Sequence, residues 1–275
     1  MRTLRGLLPS EVERIQERAL QLRESGMSYL KITQELAEEF NVSVSKATVL
    51  RWCKGTHNTF NKTKRVNLEP SPELAYIVGA YLGDASVSER NYQYRIRLKV
   101  IDRDFAQNFE KALRAIGANP RAGFEHNRSR ANRWWVEVTN KELFMFLKGP
   151  KEKLFEVARA YPKEFLRGFF DSEGTVIFSK KSKMLYVSAS NYDTEVLRLC
   201  QDLLDGLKIH SKIYLHQKKG TPVNIRGKIY HYSNDLYEIR IHRRDSVLKY
   251  LQNIGFSISR KQAKLENGLR ELGRL

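Results

Sequence analysis

Two segments of the chain each close a short apolar stretch with an acid. LAYIVGAYLGDAS (74–86) carries Asp84, and FLRGFFDSEGTV (165–176) carries Glu173, 89 residues further on. Each segment also carries small residues four apart, Gly79 and Gly83 in the first, Gly168 and Ser172 in the second. Small residues at i and i+4 share one helix face and let two backbones approach closely. Packing these faces together brings Asp84 and Glu173 close to one another on a pseudo-twofold axis. The arrangement has a cost, because a carboxylate at a helix C-terminus faces the negative end of the dipole, about 0.3–1 kcal/mol. Two neighbouring carboxylates also repel and push one or both pKa values up. A divalent cation between them reverses the sign of that cost. Oxygen-only ligands point to Mg²⁺, with Mn²⁺ as a substitute, since Mg²⁺ retains waters and binds substrate phosphate. The expected metal set is Asp84 and Glu173 with the residues that follow them, Ala85 and Gly174. One acid at a helix end is ordinary; two at matched positions beside matched small-residue faces point to a site.

The elements that position these acids recur in the same order. After each segment comes an alternating run, Tyr94–Val100 and then Leu185–Ala189. A helix opened by Asp follows (Asp102, Asp193), then two strands, the second being Trp134–Val138 or Leu236–Ile241. A last helix closes each unit, KELFMFLK and DSVLKYLQ. This predicts an α+β chain built on a duplicated αββαββα unit, with a longer loop (216–234) between the last strands of the second copy. Arg95, Arg97 and Lys99 alternate along one strand and so share a face, as do Arg240 and His242. Such a face fits a duplex groove, the alternative being a solvated outer surface. Arg128, Arg130 and Arg133, and Lys218, Lys219, Arg226 and Lys228, extend the basic footprint through the loops. Trp134 and Trp135 point to opposite faces, so one of them belongs to the core.

Residues 9–54 read as three helices. Val12, Ile15, Ala19 and Leu22 line the first, and Leu30, Ile32, Leu36 and Phe40 line the second, which Ser28 caps. The turn Asn41–Val44 leads to a third helix capped by Ser45. The stretch SYLKITQELAEEFNVSVSKATVLRWCKG resembles the DNA-binding helix-turn-helix of recombinases and repressors. In that layout Lys46, Thr48 and Arg51 face DNA, while Val49, Leu50 and Trp52 pack. A helical bundle for protein contacts is the alternative. Residues 57–71 form a polar linker whose Lys62, Lys64 and Arg65 either track phosphates or are solvated.

Composition narrows the partner. The 275 residues hold 49 Lys+Arg against 31 Asp+Glu, a net charge of +18 that self-repels and favours a polyanion. The excess is +5 over residues 1–68 and +13 over the rest, so both expected DNA-binding modules share it. No apolar run approaches the roughly 18 residues of a membrane span, and the opening lacks the apolar core of a signal peptide. Cys53 and Cys200 suggest neither a disulfide framework nor a zinc cluster. The expectation is a cytoplasmic, nucleoid-associated protein, monomeric, with double-stranded DNA as partner and no membrane.

IVGAYLGDA and LRGFFDSEG resemble the two motifs of LAGLIDADG homing endonucleases, and the resemblance covers roughly residues 72–275. It implies the homing-endonuclease fold, in which two four-stranded antiparallel sheets form a saddle over DNA. The implied layout is a helix-turn-helix domain (1–56), a basic linker (57–71) and two repeats (72–160 and 161–275). It also implies metal-dependent hydrolysis of both strands of a chosen DNA site, with Asp84 and Glu173 as the catalytic acids. Lys99 is the first choice for a supporting basic residue, followed by Lys180 and Lys181. Three positions depart from the pattern: Leu82 stands for the first Asp, Ala85 for the final Gly, and Arg167 precedes the second motif's Gly. A non-cleaving DNA-binding regulator and an RNA-splicing maturase are the alternatives on the same fold. The chain ends do not resemble those of a self-splicing intein, which favours a free-standing or intron-encoded enzyme.

Overall fold

In the computed structural model, described for residues 1–56, 65–91, 93–126, 131–225 and 227–273, two apolar cores are separate. The first belongs to the N-terminal module. It comprises β1 (Arg2–Thr3), α1 (Pro9–Glu24), α2 (Tyr29–Phe40), β2 (Val42–Ser43) and α3 (Lys46–Cys53). Ser28 and Ser45 each accept a backbone N–H from three residues ahead, Lys31 and Thr48, which fixes the starts of α2 and α3. Gly26 and Gly55 take positive φ where α1 and α3 stop. Ile32 and Leu36 are fully buried, but Leu30 is 59% exposed and not part of the stripe. Two residues along a helix is about 200° of rotation, so Leu30 points away from the face that Ile32 presents. The turn after Asn41 is also a tiny strand, because β2 pairs in parallel with β1.

The second core runs through the rest of the chain. The first repeat contains α4 (Pro72–Tyr81), β3 (Ser86–Arg90), β4 (Gln93–Val100), α5 (Arg103–Ala115), β5 (Arg121–Glu125), β6 (Arg133–Thr139) and α6 (Lys141–Leu147). After α7 (Lys151–Ala160), the second contains α8 (Pro162–Glu173), β7 (Gly174–Ser179), β8 (Met184–Asn191), α9 (Thr194–Gly206) and β9 (Lys212–Gln217). It continues through β10 (Pro222–Ile225), β11 (Lys228–His231), β12 (Leu236–Ile241), α10 (Arg244–Asn253) and α11 (Ser259–Glu271). The two large sheets have orders β3-β4-β6-β5 and β7-β8-β12-β9, all neighbours antiparallel. Position for position these are the same sheet, so the duplication extends to topology. Apolar residues of both repeats form one continuous core.

Three elements have no place in the αββαββα reading: α7, α11 and the ribbon β10–β11, which fills the long loop as a separate two-stranded sheet. Asp193 caps α9 through the N–H groups of Glu195 and Val196. Asp102 holds the same place before α5, but its carboxylate is engaged by Arg260 of α11 at 2.5 and 2.7 Å. The N-terminal module touches the first repeat through Lys141, whose ammonium donates to the carbonyls of Gly6 and Leu7 at 2.7 and 2.9 Å. Among the described residues no helix is long and apolar enough to cross a membrane, and both cysteines are free.

Candidate metal centre at the repeat interface

The seam between α4 and α8 is built on glycine. A Cβ on Gly79 would overlap the carbonyl oxygen of Phe165 and come within 2.8 Å of the Phe169 nitrogen. A Cβ on Gly168 would overlap the carbonyl oxygen of Tyr76 and come within 3.1 Å of the Ala80 nitrogen. Adding 89 to each number of the second contact set returns the first, so the seam obeys the pseudo-twofold residue by residue. Gly83 faces its own counterpart, and a Cβ there would overlap Ser172. The axis therefore passes between Gly83 and Ser172, and the acids follow one residue later on each side.

The local backbone differs at the two ends. Glu173 is the last residue of α8, whereas α4 stops at Tyr81 and Asp84 sits in the turn beyond it. The residue after each acid differs accordingly. A Cβ at Gly174 would overlap the Phe170 carbonyl oxygen, so only glycine fits. At the equivalent position the earlier end of α4 leaves room for the buried Ala85, whose N–H bonds the Ala80 carbonyl at 2.9 Å.

Burial sets the electrostatics of the pair. It pushes the Asp84 carboxyl up, partly offset by the charges of Lys261 and Arg133. Burial and then the negative charge of Asp84 push Glu173 up to about 7, with Lys261 opposing. The two acids are thus close enough to feel each other, in surroundings that penalise their charge. Asp171, at the place where the first motif has Leu82, is a buried structural acid. It accepts from Tyr76 Oη at 2.9 Å and from Ser257 N and Oγ at 2.9 and 2.5 Å.

These donors fit a hard divalent cation. The two carboxylates gain from a positive neighbour, and no cluster of three or more His, Cys, Asp or Glu competes among the described residues. A cation held by two acids completes its shell from water and from a bound phosphate, as Mg²⁺ and Mn²⁺ do.

The supporting bases fall differently from expectation. The β3–β4 register begins at Ser86, paired with Arg97, so Lys99 lies on β4 past the start of β3, toward the end of the sheet from which Asp84 leads in. Lys99 is not free, because its ammonium donates to Glu125 at 2.6 Å. The β7–β8 register begins at Gly174, the residue after Glu173, which pairs with Ala189. Lys180 and Lys181 lie instead in the turn beyond β7, about 20 Å of strand from Glu173, and Lys180 pairs with Glu271 at 2.9 Å. Proximity in sequence misplaces them, because the strand carries the chain away from the acid.

The sheet faces have more pairing than their sequence suggests. Ile96, Leu98 and Val100 are buried, while Arg95, Arg97 and Lys99 share the opposite face of β4. Glu137 stands across from Arg97 and binds both Arg95 and Arg97. Trp135 lies on this same face, over Gly123, and Trp134 packs on the core side. On the second sheet Arg240 is held between the rings of Tyr186 and Tyr214 at 5.4 and 5.2 Å, and bonds the buried Glu238 at 2.6 Å. His242 follows β12 beside His210, ring centroids 6.4 Å apart. Lys46, Arg51 and Lys228 are exposed, the Thr48 hydroxyl is bonded to Ser45, and Arg65 pairs with Glu13. Lys62, Lys64, Arg128, Arg130 and Arg226 lie outside the described residues.

Residues 160–255 match the family model described as a LAGLIDADG-like domain, the region that carries Glu173 and the second sheet. An uncharacterized protein of Methanocaldococcus jannaschii, MJ0398, is 43% identical over 274 residues, covering 99% of both chains. Residues 160–255 belong to the LAGLIDADG-like family. Among solved structures it is similar to I-DmoI in complex with DNA and Ca, at 18% identity and a TM-score of 0.49, covering 71% of this chain and 97% of that one. It is also similar to the N-terminal LAGLIDADG domain of DUF199/WhiA, at 17% identity and a TM-score of 0.43, covering 67% and 84% respectively. Sequence reasoning missed two residues that bear on this LAGLIDADG-like site. Arg133, grouped with the loop arginines, opens β6 and acts on Asp84. Lys261 lies on α11, outside the repeat pattern, and nothing in its local sequence signals a place beside the acids.

Proposed function

We propose that this protein is a site-specific, Mg²⁺-dependent DNA endonuclease that cuts both strands, with one acid of the pair serving each. The observation that carries this is the coupled acid pair. Asp84 and Glu173 sit at equivalent positions of a twofold seam, both with charge disfavoured, and one is raised to about 7 by burial and by the other. A stable fold gains nothing from such a pair, whereas a divalent cation turns its repulsion into binding. A divalent metal held by these two carboxylates would supply an activated water and stabilise charge on the leaving oxygen.

The chain's own residues do the rest. The glycine seam holds the carboxylates at a fixed mutual distance, which is what an attack on two facing phosphates demands. Arg133 and Lys99 stand on the first sheet at the Asp84 end and place positive charge toward the phosphate there. The sheet faces present Arg95, Arg97 and Arg240, with Glu137 beside the first two. Such faces can donate to guanine and accept from cytosine in a major groove. The N-terminal module, with Lys46, Thr48 and Arg51 on α3, adds a second contact with duplex, and Lys62, Lys64 and Arg65 follow the phosphates between them.

A test is incubation of the chain with Mg²⁺ and a randomised duplex library, followed by sequencing of cut ends. The expected outcome is one recurring sequence with ends from both strands. Tight, salt-sensitive duplex binding with no cut ends would replace this reading with a DNA-binding regulator. Cutting or binding confined to structured RNA would replace it with a maturase.

A further inference from the structure

The pseudo-twofold fails at one place that matters for the acids. Leu82, the residue after α4, and Asp171, in the last turn of α8, hold equivalent positions 89 residues apart. The Leu82 carbonyl is capped by a neutral group, the Asn191 side-chain amide at 3.0 Å. At the matching strand position of the first repeat stands Val100, which has no side-chain donor. The Asp171 carbonyl is capped instead by the Lys261 ammonium, at 2.6 Å, which also reaches the carbonyls of Phe170 and Ser172 at 3.3 and 3.5 Å. Lys261 is 8% exposed. A buried ammonium is costly unless it meets opposite charge, and three helix-end carbonyls supply only partial charge. The remaining negative charge around it comes from Asp171, Asp102 and Asp84, while Arg260 opposes. In return, the Lys261 charge favours the ionised form of both Asp84 and Glu173.

We propose that Lys261, whose ammonium caps the last turn of α8 just before Glu173, is the resident counter-ion at that end of the Asp84–Glu173 pair, positioning Glu173 in the metal-free protein and weakening divalent-cation binding between the two acids. It is a positioning residue: it fixes the last turn of α8, which carries Glu173, and touches neither phosphate nor water in this role. Since helix α11 brings it from outside both repeats, it acts on the α8 end alone, and the Asp84 end keeps a neutral cap. The metal half of the proposal rests on the metal-centre reading above.

Two measurements on the full chain test it. The first is a thermal double-mutant cycle without metal. Lys261→Gln keeps a hydrogen-bond donor but removes the charge, and is expected to lower Tm; adding Asp84→Asn in that background is expected to restore part of the loss. The second is calorimetric titration with Mn²⁺, in which Lys261→Gln is expected to bind roughly tenfold more tightly, the size of effect a unit charge a few ångströms away commonly exerts. A purely structural lysine predicts additive losses in the cycle and Mn²⁺ binding that weakens or does not change. Either result overturns the proposal, as does a Lys261→Gln chain that fails to fold even with saturating Mn²⁺. If Asp84→Asn and Glu173→Gln leave Mn²⁺ binding unchanged, the metal-centre reading fails instead, and the cycle alone decides the counter-ion.

Discussion

The α4–α8 seam and the faces of the two sheets are both read as functional, yet they are built on opposite physics. The seam is a place of no tolerance, where glycines meet backbone atoms and each contact has its counterpart 89 residues away. The faces are adjustable. Their basic residues are half-exposed, and the ion pairs of Arg97 with Glu137 and of Lys99 with Glu125 can be exchanged for a phosphate or a base, whereas the Glu238 partner of Arg240 is buried. The difference teaches where each requirement lies. On the proposed function, two cuts at a fixed separation need a rigid frame, and recognition of a sequence needs side chains whose pairing can change.

Salt gives the widest separation between these regions. On the proposed function duplex affinity resides on the faces and the N-terminal module, so it is expected to fall on the order of a thousandfold or more between roughly 50 and 200 mM salt if about ten phosphates are neutralised. The thermal stability set by the seam should barely respond over that range. A flat affinity in an electrophoretic mobility titration would remove the faces from the account.

Gly168→Ala attacks the seam directly. Its Cβ lands on backbone of Tyr76, which cannot swing aside, and a loss of about 1–3 kcal/mol in denaturant unfolding is expected. A loss under about 0.5 kcal/mol, the range of ordinary surface changes, would mean that the helices do not pack as described. Glu137→Gln is the matching test of a face. It frees Arg95 and Arg97, so low-salt duplex affinity should rise severalfold, while stability changes by less than about 1 kcal/mol, as for exposed pairs.

The smallest effect is on pH. Glu173 is raised in the folded chain to about 7 from 4.5, so between those values the folded state holds a proton that the unfolded state releases. Stability from this group is full below the unfolded value and is lost as pH rises through about 7. Asp84, also raised, acts in the same direction. The metal-free Tm should therefore fall by a few degrees between pH 5 and 7.5, against a Glu173→Gln control, and Mg²⁺ should cancel the fall.

The seam was legible because small residues at i and i+4 leave a signature in one segment, and a repeat doubles it. Strand alternation likewise separated Trp134 from Trp135 and placed Arg95, Arg97 and Lys99 on one face. What eluded sequence depends on register and on distant elements. Nothing local sets Glu137 beside Arg97 or Glu125 beside Lys99, because each pair is fixed by strands that meet only in the sheet. Lys180 and Lys181 looked close to Glu173 because chain distance hides that a strand leads away from the acid. Lys261 was invisible for the same reason in reverse, since α11 returns it to a helix end about 90 residues earlier.

The central claim is that two equivalent acids, one from each repeat, are the cutting groups. It is tested most directly by comparing cleavage and binding of the library-selected duplex in Mg²⁺ by the wild-type chain, Asp84→Asn and Glu173→Gln. Each variant is predicted to lose double-strand cutting by about a hundred- to a thousandfold, the scale of removing a group that stabilises a transition state, while binding the duplex as well as wild type. Cutting at the wild-type rate by both variants would contradict the account.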